Sequence, residues 1–122
     1  MARQIGGVSV GTTTSVEFLL NTDDISVIPA CIAGNQALTL NPGTVLQDGA
    51  AGTNQKVGYT NADVSPTGLC ILVDKVVLAV GDPPVTVNGL IRGTVRKSMI
   101  LDDAGAAADA AAFTGMPGVL AL

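Results

Sequence analysis

The chain has no histidine, no tryptophan, one tyrosine and two phenylalanines, and only 13% of its 122 residues are charged. Without histidine, the usual pairings of a base with a nucleophile are missing, and nothing places a Ser-Lys or paired-carboxylate site. Metal ligation also loses its commonest ligand. The two cysteines, Cys31 and Cys70, lack CxxC spacing,. The glycine-rich segments contain neither the phosphate-cradling P-loop spacing nor the dinucleotide fingerprint,. The expectation is therefore a chain that is not an enzyme, with no catalytic or metal-binding residues and no cofactor. So few aromatics leave the core to be built from Val, Leu, Ile and Ala. Charge is scarce against about 25% in an average domain, while 48% of residues are hydrophobic, with 15 glycines besides. That is too little charge to cover a lone surface, so part of the apolar exterior is expected to lie against copies of the chain or another protein.

The net charge is -4 and the pI about 4.3. Nucleic acid is thus not expected as a direct partner, because phosphate binding needs clustered Lys and Arg. Half of the six positive charges do cluster, as Arg92, Arg96 and Lys97, and these are candidate interface residues on one strand face. The longest unbroken apolar runs, Leu69 to Val73 and Val76 to Val80, are five residues each. That is too short to span a membrane, and no membrane partner is expected. No secretory h-region follows Arg3, so synthesis in a cytosol is expected. Both cysteines sit among apolar neighbours, where a free thiol behaves as a small hydrophobe,. Two buried thiols are expected, with one disulfide the alternative.

The clearest pattern runs from Pro84 to Ile100. Val85, Val87, Gly89, Ile91, Gly93 and Val95 alternate with Thr86, Asn88, Leu90, Arg92, Thr94 and Arg96, the mark of a half-buried strand. Asn88-Gly89 is a hairpin signal. A turn there would pair Val85 with Arg92 and Thr86 with Ile91, mixing the faces, so one long strand is favoured, bent or bulged at Gly89 or Gly93.

The remainder reads in chain order. Residues 1–15 carry three glycines, three consecutive threonines and no acid, as expected of a flexible N-terminal arm ahead of a single β-rich domain over 16–122. Ile5, Val8 and Val10 stay apolar within it, and Val16 to Leu20, which includes Phe18, is strand-like. The arm either orders by adding a strand to a partner or is a frayed terminus. Short strands are expected at Ser26 to Ile28, Ala37 to Leu40, Thr44 to Gln47 and Val57 to Thr60, between Gly-, Asn- and Pro-rich turns. Leu69 to Val80 is either two strands turning at Asp74-Lys75 or one kinked ribbon. Asp23-Asp24 and Asp102-Asp103 read as turn or cap residues. Asp102 or Asp103 is expected to cap a short helix over Ala104 to Phe113, stopped by Gly115-Met116-Pro117-Gly118 ahead of a last strand at Val119 to Leu122. The fold expected is mainly β, a small barrel-like bent ribbon with one short C-terminal helix and a flexible N-terminal arm.

Several motifs occur in an order and spacing that resembles the head decoration proteins of tailed bacteriophages, the lambda protein D type. They are Leu40-Asn41-Pro42-Gly43-Thr44-Val45-Leu46, Lys56-Val57-Gly58, Gly68-Leu69, Val85 to Val95 with Arg92-Gly93-Thr94-Val95, the Ala-rich helix, and Ala112-Phe113-Thr114-Gly115. The resemblance covers about residues 37 to 122; the chain departs from it in a longer ribbon around Leu69 to Val80 and in its missing aromatics. It implies a structural virion protein, made in the host cytoplasm. This protein would sit as homotrimers on the outer surface of the expanded head, with the major capsid protein and itself as partners. The arm, with Ile5, Val8, Val10, Val16 and Phe18, would then order against the shell. The alternative from another class is a self-associating, tail-associated or adhesin-like β module.

Overall fold

The structure is a computed structural model that describes residues 18–20, 25–32, 37–49, 55–62 and 66–122, together with the backbone of 4–5 and 8–9. Its central element is the expected long strand, here β9 (Val85–Val95). On one side β9 pairs antiparallel with β3 (Ser26–Ile32), and on the other with β7 (Cys70–Leu72). β5 (Val45–Asp48) pairs with β7 and with β6 (Lys56–Gly58), and β6 meets β3 in parallel at Ile32 and Lys56. The pairings β9, β3, β6, β5, β7 and back to β9 close a five-stranded barrel. A short ribbon of β4 (Leu38–Leu40) and β8 (Val76–Leu78) packs on it, and β10 (Val119–Ala121) lies parallel beside the end of β9. At the N-terminus, β1 (Gln4–Ile5) and β2 (Val8–Ser9) pair with each other, Ile5 opposite Val8.

Alternation sorts the side chains into two cores. One holds Phe18, Val45, Tyr59, Ile71, Leu90, Val95, Ile100, Ala112 and Met116. The other holds Ala30, Ile32, Leu40, Leu46, Cys70, Leu72, Val76 and Leu78. Successive residues of β7 enter opposite cores, Ile71 the first and Cys70 and Leu72 the second, so this strand is buried on both faces. That explains the unbroken apolar run in its sequence.

β9 departs from simple alternation. Opposite β3, Arg92 pairs with Ser26 and Leu90 with Val27, leaving Ile91 as an extra residue. This β-bulge reverses the parity of everything after it. Leu90 and Val95, five positions apart, both enter the first core, whereas Val85, Val87 and Ile91 pack against the second. The expected bend is real but sits at Ile91, with Gly93 beside it at φ +151°, a left-handed value that a side chain would strain,. Gly89 has another role. It lies between Ile28 of β3 and Leu72 of β7, and a Cβ there would come within 2.6 Å of Cys70 Sγ. The barrel closes tightly at that point because Gly89 has no side chain.

Two other expectations are corrected, and one pair of alternatives is decided. The strand expected at Ser26 to Ile28 continues through Pro29 to Ile32. Pro29 is tolerated because Asn88 opposite it directs its carbonyl to the Val73 amide, so this pair exchanges no ladder bond that would need a proline N–H,. Of the two readings of Leu69 to Val80, two strands on either side of Asp74-Lys75 form, and they join different sheets, β7 in the barrel and β8 on β4. The helix is only α1 (Ala110–Thr114), and its cap is Asp109, whose Oδ1 accepts from the Ala112 N–H. The buried Asp102 instead folds the preceding segment into a loop, accepting from the Ala104 and Ala106 amides at 3.0 Å each, with Gly105 at φ +86° in the turn. Backbone hydrogen bonds committed to that loop leave no helix to start at 104. The turn residues Asp23-Asp24, the turn at 33–35 and the loop at 50–54 lie outside the described residues.

Candidate functional site

The residues singled out in the sequence do not gather in one place. Val10 and Val16 lie outside the described residues, and Ile5 and Val8 belong to the small β1–β2 pair. Phe18 is a correction to its place in the arm, since it is buried in the first core. The Arg96 N–H donates to the Phe18 carbonyl at 2.7 Å, which ties this segment to the end of β9. An aromatic ring committed to its own subunit is not available as a contact for a partner.

Arg92, Arg96 and Lys97 do share one region. The bulge at Ile91 brings Arg92, Thr94 and Arg96 onto the outward face at the end of β9,. Lys97 follows in a 3-10 turn (Lys97–Met99), its Nζ 5.9 Å from the centre of the Phe113 ring, within cation–π range. Both arginines also have partners within the chain.

Leucines that the sequence reading missed lie on that same face. Leu19 bridges Val95, the Leu20 N–H donates to the Thr94 carbonyl at 2.9 Å, and Leu120 stands opposite Thr94 on the other side. Leu20, Thr94 and Leu120 therefore form a row across three chain segments, because residues opposite one another in a sheet point to the same side. One step along, the Leu122 N–H bonds to Val95 and its carbonyl accepts from Lys97. Leu120 is 57% exposed and Leu122 69% exposed. The signal was present in Val119 to Leu122, where every second residue is a leucine.

A second apolar surface lies at the other end of β9, on the ribbon. Val76 and Leu78 are buried in the second core, so Val77 between them faces outward opposite Thr39, 65% exposed. Val80 follows at 76% exposed, in a turn where the Asp82 carboxylate accepts from the Ala79 N–H at 2.8 Å. Nearby, a groove of about 360 Å³ is lined by Ile32, Leu38, Leu40 and Val57 with Lys56 and Asp103. Its charges are engaged: Lys56 donates to Asp48 Oδ1 and to the Gly68 carbonyl, both at 2.6 Å, and Asp103 accepts from the Thr60 hydroxyl.

The carboxylates elsewhere hold loops together. Asp109 accepts from Tyr59 Oη at 2.7 Å and the Ala62 N–H at 2.8 Å. The Asn61 side chain accepts from the Asp109 N–H and donates to the Ala107 carbonyl. The Tyr59 hydroxyl, then the Ala62 amide, hold the Asp109 carboxyl below its ordinary range,. For Asp102, burial pushes upward, but the amides of Ala106, Asn61, Ala104 and Gly105 outweigh it and the carboxyl also lies low. Both cysteines are free thiols. Cys70 is buried, and burial pushes its thiol up to about 11. The expectation for Cys31 is corrected, for it is partly exposed, pointing away from Ala30 and Ile32, which alternate into the second core. Among the described residues no three His, Cys, Asp or Glu side chains come together as metal ligands. Comparison with family models, with curated proteins and with solved structures returned no match for this chain.

Proposed function

We propose that this chain is a structural virion protein that binds the outside of an expanded phage head as trimers and stabilises the capsid lattice against internal DNA pressure. The observation that carries the proposal is the pair of exposed apolar surfaces, Leu120 and Leu122 at one end of β9 and Val77 and Val80 at the other. Scattered apolar residues need no explanation, but apolar surfaces at both ends of a charge-poor barrel suit a subunit that works in contact with others. The resemblance to head decoration proteins supports the same reading. Its motifs fall on the turn from β4 into β5, on β6, on the approach to β7, on β9 and, for Ala112-Phe113-Thr114-Gly115, on α1 and its C-cap, while the Ala-rich stretch before Ala110 forms a loop.

The mechanism is mass action. A protein that binds only the expanded lattice stabilises it by the free energy of that binding, so the lattice gains most where the ligand concentration is well above Kd. Residues 1–15 serve in this reading as the arm that engages the shell, with backbone pairing supplying affinity. Co-sedimentation with expanded and unexpanded heads assembled from the same phage's major capsid protein tests the proposal. Saturable binding to the expanded form alone is expected; equal binding to both, or to neither, would refute it.

A further inference from the structure

We propose that β10 is an open sheet edge on which a second copy of this chain pairs, β10 against β10, antiparallel about a two-fold axis that sets Ala121 opposite Ala121. The proposal goes beyond the decoration reading and does not rest on it. It starts from where the backbone hydrogen bonds of β10 go. This strand stands at the end of the strand order, with β9 beside it on one side. The Gly93 N–H donates to the Gly118 carbonyl at 3.1 Å, the Leu122 N–H to the Val95 carbonyl at 3.0 Å, and the Lys97 N–H to the Leu122 carbonyl at 2.9 Å. Even-numbered residues of this segment therefore turn their backbone groups towards β9, and odd-numbered ones turn theirs away. The Val119 N–H is satisfied by the Met116 carbonyl at 3.0 Å. Among the described residues nothing bonds to the Val119 carbonyl, or to the N–H and carbonyl of Ala121.

An open edge is a template for another strand, and natural edges are blunted with charges, prolines or bulges. β10 has none of these. Residues 118–122 are uncharged, Pro117 precedes the strand, and the register with β9 is unbroken. A two-fold pairing closes on itself and uses both free groups of Ala121, each N–H donating to the Ala121 carbonyl of the other copy. Leu120 then lies opposite Leu122 of the second copy, on the face away from the Ala121 side chain that packs against the first core,. These leucines are 57% and 69% exposed, and this register covers both in each copy. No like charges stand opposite one another on the paired strands, and the two β9 backbones lie three strand spacings apart, about 14 Å, beyond the screening length at physiological salt. A strand of another protein could meet the same backbone groups; the leucine pairing is what selects a second copy. Only a short strand is joined, so the contact is expected to be weak, and on a lattice of trimers it would link one trimer to the next.

The test is position-specific disulfide linking of the full chain, with Cys31→Ser as background because Cys31 is partly exposed. One chain carries Leu120→Cys and the other Leu122→Cys. In the proposed register these positions face each other across the axis at about 4.5–5.5 Å, whereas like positions are diagonal at about 7–8 Å, too far for a disulfide without backbone movement. Under mild oxidation the one-to-one mixture should form linked dimer about tenfold faster than either chain alone. Sedimentation velocity of the unaltered chain should show a two-chain species growing in by about 1 mM, and two variants should lose it. Ala121→Pro removes an N–H that the fold does not use, a place where an edge strand tolerates proline. Leu120→Lys with Leu122→Lys sets like charges opposite one another and decides the matter should the proline variant prove unfolded by circular dichroism. A mixture that links no faster than the single chains, an unaltered chain that stays single, or folded variants that associate like it would each overturn the proposal. Loss of head binding by the folded Ala121→Pro chain, with the unaltered chain single in solution, would assign the edge to the capsid protein and overturn it too. Intact head binding beside failed linking would leave the decoration reading standing, and linking without head binding would leave the pairing standing alone.

Discussion

Replacing Gly89 with alanine tests whether the barrel closes as described. The new Cβ would lie 2.6 Å from Cys70 Sγ and 3.0 Å from Cys70 Cβ, where ordinary contact is about 3.5–4.0 Å. Neither side can retreat easily. Gly89 is paired with Ile28 on one side and Leu72 on the other, and Cys70 is fully buried in the second core. Overpacking of this kind costs about 1–3 kcal/mol, offset by about 0.4–1 kcal/mol from the lost freedom of glycine in the unfolded chain. The net loss is about 1–2 kcal/mol, or roughly 4 °C in Tm for each kcal/mol at this chain length. Urea and thermal unfolding would measure it. Cys70→Ala removes the obstructing sulfur, so the double variant Gly89→Ala/Cys70→Ala should be more stable than the sum of the single changes by about 1 kcal/mol. A Gly89→Ala protein as stable as the unaltered chain, or single effects that simply add, would refute the closure.

Phe18→Ala should destabilise the free protein by about 3–5 kcal/mol, because the ring is buried in the first core. Deleting residues 1–15 should instead leave the thermal unfolding of the free protein unchanged and sharply weaken attachment to expanded heads, measured by co-sedimentation. In the native protein a thiol reagent such as iodoacetamide should label Cys31 well before Cys70, whose burial holds its thiol near 11; in denaturant both should titrate, whereas no free thiol would mean a disulfide. Asp102 and Asp109 have folded-state carboxyls held below the usual 3.8, so their stabilisation is present above the unfolded pKa and lost as pH falls through the folded one. Acid unfolding should therefore show a component below pH 3.8 that Asp102→Asn and Asp109→Asn reduce, and an unchanged acid limb in both variants would count against it.

The fold was legible where local pattern and tertiary pairing agree. The limits of β9 follow from its alternation, and the short strands follow from the turns between them. What escaped was decided at a distance. The bulge at Ile91 exists because β3 pairs two residues against three, and nothing in the β9 sequence announces the partner's register. Leu90 counted as a lone apolar residue on a polar face, yet it is fully buried because that face, with Leu90 beside its β7 partner Ile71, looks into the first core. The alanines from 104 to 108 favour a helix locally, but Asp102 captures their amides for a loop, a competition that a short carboxylate side chain often wins. Of the candidate surfaces, the basic cluster was legible from Arg92, Arg96 and Lys97. Val77 and Val80 were not, because their exposure depends on β8 leaving the barrel to pair with β4.

The central claim is that this chain decorates an expanded head, and electron cryomicroscopy of such heads incubated with the purified protein tests it most directly. The account predicts trimeric density on the outer surface at the three-fold positions of the lattice. Bare three-fold positions at saturating protein, or density confined to two-fold positions, would contradict it.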